Sequence, residues 1–431
     1  MVAPLKLGLA GLGTVGVGVL IELIENQALI SERAGRDLIV HGVSAREKNK
    51  DRGVSLKNIK WYENPSDLCV DPEIDIVIEL IGGADGVALS IAKSAILNEK
   101  HFITANKALM AHHGPALAAA SEIKNVSVAF EAAVAGGIPI IKVLREGLAG
   151  NDVSSIFGIL NGTSNYILSS MADTKREFDE VLAEAQKLGY AESDPSFDVD
   201  GIDAAHKLSI IASIAFSTIV DFRDVYVEGI RYISPIDISF AKTLGYGIKL
   251  LAVANRIDGH AELRVHPCMI PLNSPINHVS GVLNGIVVHG HNTGSTIYEG
   301  AGAGQGPTTS AVISDLIDIA RQNFVPAFGV RSEKLNTLSV ASIENRIGAY
   351  YIRLMVVDQP GVFAEVANSL KNHDVSMESV LQQSRHPGEP VPVVMTVHNT
   401  PEYAMKNCLE DLKRVDEIVD PPMMIRIETF V

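Results

Sequence analysis

Five carboxylates and Lys207 gather in residues 185–208, AQKLGYAESDPSFDVDGIDAAHKL. Glu192, Asp194, Asp198, Asp200 and Asp203 crowd around the start of a helical pattern, and Lys207 follows Asp203 by four residues. That spacing puts both on one helical face, one turn apart. In a cleft, such a lysine exchanges a proton with a hydroxyl, its pKa set by desolvation against neighbouring anions. A surface ion pair has the same spacing. What argues for a site is the otherwise apolar helix face beside it, formed by Leu208, Ile211, Ala212 and Ala215.

A second constellation opens the chain. The strand-like LKLGLA runs directly into GLGTVG, with Gly11, Gly13 and Gly16, and then into a helical pattern. Gly11 permits the tight turn, Gly13 lets backbone approach a pyrophosphate, and Gly16 allows close packing. Thr14 and Val15 begin the helix, whose free N–H groups and positive dipole suit an anion. A dinucleotide is expected across these amides, with an unliganded glycine-rich turn as the plain alternative. The second strand, DLIVHGV, ends in Ser44, Ala45 and Arg46, with Lys48 and Lys50 beyond. NAD enzymes commonly carry a carboxylate there for the ribose 2′-hydroxyl. With Arg46 in its place a 2′-phosphate is the better-matched ligand, so NADP is expected over NAD, against the plainer reading of a solvated basic loop.

Four further segments carry candidate groups. HFITANKALMA places Asn106 and Lys107 at the C-terminal edge of the fifth strand, where ligands of doubly wound sheets bind; a plain lysine at a helix start is the alternative. FEAAVAGGIPII sets Glu131 beside a glycine-containing bend, whose carbonyls suit a hard monovalent or divalent cation or merely form an interdomain hinge. NGTSNYIL ends a strand and begins a helix, so Gly162 and Thr163 offer backbone groups to a small carboxylate, against the plainer reading of an ordinary Thr163 or Ser164 helix cap. EGAGAGQGPTTSAV, containing Gly304, is a late glycine loop before a helix. The histidines His260, His266, His289 and His291 give no recognised metal spacing and read as structural, and His112 and His113 read as a loop.

These groups need elements to position them. Residues 5–130 alternate short β-rich runs with amphipathic stretches, starting with a helix carried through Ile30; the pattern implies a parallel sheet covered on both faces. Residues 136–330 mix long Ala/Leu/Ile helical patterns with later strands, an α+β texture. From near Tyr350 a small β/α module follows, with a charged helix around residues 409–415. The expected division is a dinucleotide-binding domain over 1–135, completed by a segment near 300–320, a substrate-binding, catalytic and dimerisation domain over 136–330, and a regulatory module over 350–431.

Composition narrows the partners. The 431 residues include 36 Lys plus Arg against 51 Asp plus Glu, a net charge of −15 that disfavours nucleic acid and acidic membrane. No apolar run approaches the roughly 20 residues that span a bilayer, and three scattered cysteines suit reduced thiols, so a cytoplasmic location is expected.

With these motifs in view, the chain resembles the homoserine dehydrogenase family. The signature positions are Ala185, Gly189, Tyr190, Ala191, Asp194, Pro195, Asp198, Val199, Gly201, Asp203 and Lys207, and the order of the other motifs is also similar. DQPGVFAEVA, residues 358–367, resembles the start of an ACT domain. The fold implied is α/β: an N-terminal Rossmann-type doubly wound sheet, an α+β catalytic and dimerisation domain, and a C-terminal ACT-like, ferredoxin-type domain. The activity implied is the NAD(P)H-dependent interconversion of L-aspartate 4-semialdehyde and L-homoserine, on the way to threonine and methionine.

By position, the resemblance makes Lys207 the acid/base group and Asp203 its catalytic partner. It gives Glu192 to the substrate amino group, with Asp198, Tyr190, Gly162 and Thr163 nearby, and puts Lys107 between cofactor and substrate. Gly304 becomes a cofactor contact. Glu131 and the carbonyls of Val134, Gly136 and Ile138 become a sodium site. Threonine as an effector of the ACT-like module and a homodimer or homotetramer belong to the same expectation. Two other readings compete. A phosphorylating aldehyde dehydrogenase needs a cysteine nucleophile, whereas Cys69, Cys268 and Cys408 fall outside every motif. A non-catalytic sensor needs no Asp203–Lys207 pair.

Overall fold

Short aliphatic runs at the N-terminal end form strands that are largely buried: β1 (Leu5–Ala10), β2 (Leu38–Ser44), β3 (Lys60–Trp61), β4 (Ile76–Glu79), β5 (His101–Thr104) and β6 (Val128–Ala129). The computed structural model describes residues 2–382 and 388–430. The six strands pair in parallel in the order β3-β2-β1-β4-β5-β6, a Rossmann-like doubly wound sheet. Its order reverses beside β1, so the crevice at the C-terminal ends of β1, β2 and β4 is where a ligand is received. β3, only two residues long, escapes any periodicity argument.

Two local expectations change. The helix carried through Ile30 breaks at Asn26 into Thr14–Glu25 and Gln27–Ala34, bent by 85°. Among the described residues, no single helix is long and apolar enough to cross a membrane. His112 and His113, expected in a loop, lie inside the helix Lys107–Lys124. Gly114 and Pro115 lie within that helix, which Asn106 caps by accepting the Leu109 N–H at 3.0 Å.

The second sheet contains β7 (Val153–Ile159), β8 (Tyr226–Val227), β9 (Tyr246–Ile257), β10 (His260–Pro271), β11 (Leu283–Gly290), β12 (Gly294–Ala301), β13 (Ser339–Val340), β14 (Ile347–Val357), β15 (Met377–Gln382), β16 (Pro390–Pro401) and β17 (Met423–Ile427). The path runs β12-β11-β7-β9-β10-β17-β14-β16-β15, with β8 and β13 also pairing β10. Helices Gly162–Thr174, Ile202–Ala215 and Pro235–Thr243 pack against its β9 region. Ile202–Ala215 is buried on nearly every side, which explains its apolar composition.

The C-terminal segment runs β14, helix Val362–Asn372, β15, β16, helix Glu402–Leu412, β17. The second of these helices starts directly after Pro401 and ends at Leu412, earlier than its charges suggested. β17 then lies parallel to β10, pairing Cys268 with Arg426 and Met269 with Ile427, so one sheet passes through both units. Buried polar contacts fasten the junction. Asp237 accepts from the Tyr351 hydroxyl at 3.1 Å and Arg353 Nε at 2.7 Å, and Arg426 donates to Glu402 at 3.0 Å and Glu228 at 2.8 Å. In the N-terminal core, Val312, Leu316 and Ile319 of the late helix Gln305–Ala320 cluster with Leu7, Val19 and Leu20.

Candidate active site

The glycine turn is dictated by close approach. Gly11 has φ +106°, and a Cβ there would stand 2.6 Å from the Leu80 carbonyl oxygen. At Gly16 a Cβ would fall 2.0 Å from the Gly11 carbonyl oxygen, so any side chain would push the helix off the strand. Gly13 faces open space. Thr14 and Val15 form the first turn of the helix behind it, and Gln305 Nε2 donates to the Thr14 carbonyl at 2.9 Å. Gly304, at φ +108°, is the residue that lets the chain turn into that late helix.

A cleft of about 470 Å³ opens from this turn, bordered by Gly11, Gly13, Ala45, Arg46, Lys50 and Arg52. Arg52 was not singled out in the sequence. Its Nε donates to the Leu12 carbonyl at 3.4 Å and its guanidinium lies 5.7 Å from the Trp61 ring, tying the basic loop to the glycine turn. Glu79, also unanticipated, is fully buried at the end of β4. It accepts the Ile81 and Gly82 amides at 2.7 and 2.9 Å and the Thr104 hydroxyl at 2.6 Å, shaping the loop that floors the cleft. A larger hollow of about 630 Å³ lies behind, between helices Thr14–Glu25 and Gln305–Ala320, and contains neither Lys107 nor the Asp203–Lys207 pair.

On the other side of the crevice Asp203 and Lys207, buried on helix Ile202–Ala215, face each other at 2.7 Å. Lys207 Nζ also donates to the Leu160 carbonyl at 2.7 Å. Lys107 arrives from the first residue of helix Lys107–Lys124 and approaches Asp203 Oδ1 at 2.5 Å, while its ammonium lies 5.3 Å from the centre of the Phe197 ring. Asn161, absent from the expected site, joins the acids: its Nδ2 donates to Asp198 at 2.7 Å and to Asp203 at 2.8 Å. Its Oδ1 simultaneously caps helix Gly162–Thr174 through Ser164 N at 2.8 Å. A cap was expected at Thr163 or Ser164; the structure places it on Asn161, whose amide is long enough to cap the helix and bond the acids at once.

These contacts set the protonation states. Burial pushes Lys207 below the ordinary lysine value, against the pull of Asp203. Burial also works to raise Asp203, but Lys207 and Lys107 outweigh it and hold the carboxyl well below the usual range. Asp198 goes the other way, raised by burial and by Asp203 despite the Asn161 hydrogen bond. The arrangement is thus an anion clamped between two cations, beside a carboxyl that holds its proton more tightly.

The remaining acids separate. Asp194 turns to Ser196 and Asp200 to Arg231, away from the lysines. Glu192 is exposed, with its carbonyl bound by Gln186 Nε2 at 3.0 Å. The Tyr190 carbonyl accepts from the Thr163 hydroxyl at 2.6 Å, and its ring meets Tyr166 edge-on at 5.0 Å, so residues 190–192 border the start of helix Gly162–Thr174.

Glu131 is buried, and its carboxylate oxygens accept the amides of Ile141 and Lys142 at 3.0 and 2.9 Å. Burial first and Asp315 second push its carboxyl up to about 8. Val134, Gly136 and Ile138 follow in a buried bend where Ala135 and Gly136 take φ +56° and +45°. The Ile138 carbonyl already accepts Ile140 N at 2.8 Å.

A buried trio of His266, Cys268 and Glu428 has metal-like proximity. Glu428 is already held by Arg264 and Arg346, each at 2.8 Å, so the trio sits among cations and is poorly suited to another. All three cysteines are buried thiols with raised pKa, which leaves no activated nucleophile among them.

Comparison with known proteins agrees with this geometry. Residues 11–131 match the family model described as homoserine dehydrogenase, NAD binding domain, and residues 139–317 match the homoserine dehydrogenase model. A homoserine dehydrogenase of Pseudomonas aeruginosa is 44% identical, covering 99% of both chains. A crystal structure of a homoserine dehydrogenase from Thiobacillus denitrificans superposes with TM-score 0.93 at 43% identity, covering 99% of this chain and 98% of that one. A hyperthermophilic archaeal homoserine dehydrogenase in complex with NADPH matches at TM-score 0.64 and 25% identity, over 75% of this chain and all of its own. With its Rossmann-like domain, its lysine-clamped aspartate and full-length relatives of one kind, the chain belongs to the homoserine dehydrogenase family, oxidoreductases acting on a CH–OH group.

Proposed function

We propose that the protein reversibly reduces L-aspartate 4-semialdehyde to L-homoserine with NADP(H), in the supply of threonine and methionine, and that Lys207 is the proton-transferring group. The observation that carries this is the buried Asp203–Lys207 pair joined by the partly exposed Lys107 at the crevice of the dinucleotide sheet.

Gly11, Gly13, Thr14, Val15 and Gly16 would hold the pyrophosphate at the helix N-terminus, with Gly304 closing over it. Arg46, supported by Lys50 and Arg52 on the rim, fits a 2′-phosphate better than a ribose hydroxyl, and the archaeal relative with NADPH is in keeping with that choice. NAD remains the alternative cofactor. Bound there, the nicotinamide supplies or takes up the hydride. The chain's own work is proton handling and orientation. Lys207, depressed by burial, accepts the hydroxyl proton when homoserine is oxidised and returns it to the alkoxide oxygen in the other direction. Asp203 holds Lys207 and Lys107 in place. Glu192 would take the substrate ammonium, with Tyr190, Asp198, Gly162 and Thr163 bordering the same end, so that only the aldehyde end reaches the cofactor.

The donor set of Glu131 with the carbonyls of Val134, Gly136 and Ile138 is all oxygen, and a buried carboxyl raised by burial and Asp315 would be relieved by a sodium ion. Such an ion would stiffen the bend between the two units without touching the reacting atoms. The βαββαβ order of the C-terminal segment, with sheet order β17-β14-β16-β15, supports a ferredoxin-type, ACT-like module over 350–431 that binds an amino-acid effector such as threonine. The domain division at 1–135 with 300–320, 136–330 and 350–431, a homodimer or homotetramer, and a cytoplasmic setting without nucleic acid or membrane complete the reading.

The deciding experiment follows reduced-nicotinamide absorbance with L-homoserine and NADP or NAD. Homoserine-dependent reduction, faster with NADP and lost in Lys207→Ala while cofactor still binds, is expected. Cofactor binding without reduction under any condition would overturn the catalytic reading in favour of a sensor.

A further inference from the structure

Helix Lys107–Lys124 and helix Ile202–Ala215 touch through two polar contacts. One is the Lys107–Asp203 ion pair. The other is between two imidazoles: His112 Nε2 lies 3.2 Å from His206 Nε2. Both contacts join the same two helices, one from each side of the crevice, and His206 directly precedes Lys207 in the chain.

His206 is held firmly. Its ring stacks on Phe222 at 4.1 Å and sits 5.5 Å from Phe197, the ring that also carries the Lys107 ammonium. Its Nδ1 is buried with no hydrogen-bond partner in the protein, so the Nε2 contact with His112 is its sole polar anchor among the described side chains. The charged neighbours are Asp203 and Lys207 on its own helix, Lys107 on the facing helix, Asp198 beside Phe197, and Asp221 near His112. Burial first, then His112, brings His206 down to about 4, so it is a neutral imidazole at ordinary pH and accepts or donates one N–H across the gap. His113, next along the helix, faces Asp85 instead at 2.9 Å.

We propose that the His112–His206 contact is a positioning device: it sets the separation of the two helices and thereby holds Lys107 at Asp203. Neither histidine needs to touch substrate. The inference rests on the reading that Lys107, Asp203 and Lys207 form the reaction centre. An imidazole pair suits this task because each ring is rigid and a 3.2 Å N–H···N contact tolerates little sliding, whereas the long Lys107 side chain by itself would follow a shift of either helix.

The test uses His112, whose exposure makes its truncation harmless to the core. In His112→Ala, kcat/KM for homoserine should fall roughly fivefold, the loss ordinarily attached to one such hydrogen bond, with the cofactor Kd unchanged. His112→Gln, which keeps a donor and an acceptor, should recover most of it. In a Lys107→Met background His112→Ala should add almost nothing, since the pair acts through Lys107. Wild-type kcat/KM in His112→Ala would overturn the proposal. So would a fall that persists in full in the Lys107→Met background, which would make the effect general loosening. Wild-type turnover in Lys107→Met itself would instead overturn the reading of the centre, and the positioning role with it.

Discussion

Asp203 divides its carboxylate between two lysines: Oδ1 lies 2.5 Å from Lys107 and Oδ2 2.7 Å from Lys207. One lysine belongs to its own helix and the other comes from the dinucleotide-binding side, so a single buried anion measures whether the two halves of the crevice are in register.

On the proposed mechanism, replacing Lys207 removes the proton-transferring group while leaving the glycine turn intact. Lys207→Met should lower kcat by roughly 100- to 10,000-fold, the usual worth of general acid–base catalysis, with cofactor Kd little changed. Lys207→Arg should not restore the rate, because a guanidinium does not give up its proton near neutral pH. Steady-state kinetics with a parallel binding titration checks both.

The basic rim makes a separate prediction about cofactor choice. Arg46→Ala should raise KM for NADPH by about tenfold, the scale of one lost charge-assisted hydrogen bond, and leave KM for NADH nearly unchanged. Equal effects on both cofactors would remove the 2′-phosphate assignment.

Glu131 and Asp315 carry a pH dependence of stability. Burial, the larger cause for each, raises them to about 8 and about 6. A carboxyl held above its unfolded value favours the folded state with the proton on; the benefit is complete below the unfolded value and is lost as pH rises through the folded one. Tm should therefore decline between about pH 5 and about pH 8, and decline less in Glu131→Gln. At the upper end sodium chloride should restore Tm where choline chloride at equal ionic strength does not; identical curves in the two salts would argue against a cation at the bend.

Arg426 and Glu402, both fully buried, pair within the C-terminal segment, and the same guanidinium reaches Glu228 across the junction with the rest of the protein. Glu402→Ala leaves the guanidinium with the partly exposed Glu228 and the Tyr226 hydroxyl, and should cost about 3 kcal/mol, read as a drop in the denaturation midpoint. The double variant Glu402→Leu/Arg426→Met should be closer to the parent than either single change, which chemical denaturation of all three resolves.

Much of this centre is written locally. Lys207 follows Asp203 by one helical turn, and the GLGTVG turn sits between a strand and a helix, so each can be read from neighbouring residues. What escaped reading depends on partners distant in the chain. Asn161 bonds Asp198 and Asp203, Arg52 reaches back to Leu12, and the five-acid cluster splits because Arg231 draws Asp200 outward. His112, expected in a loop, lies in a helix that Gly114 and Pro115 disfavour locally and that the packing of Leu109, Met110, Leu117 and Ala118 in the core sustains.

The parallel pairing of β17 with β10 also governs the order of events during synthesis. β10 leaves the ribosome long before β14, β16 and β17 exist; β8, already made, covers Arg264 and Val265 on that flank, but the stretch around Cys268 and Met269 has no strand beside it until β17 arrives. The second sheet is therefore completed only when the last strand of the chain has been made, which sets its closure late in synthesis.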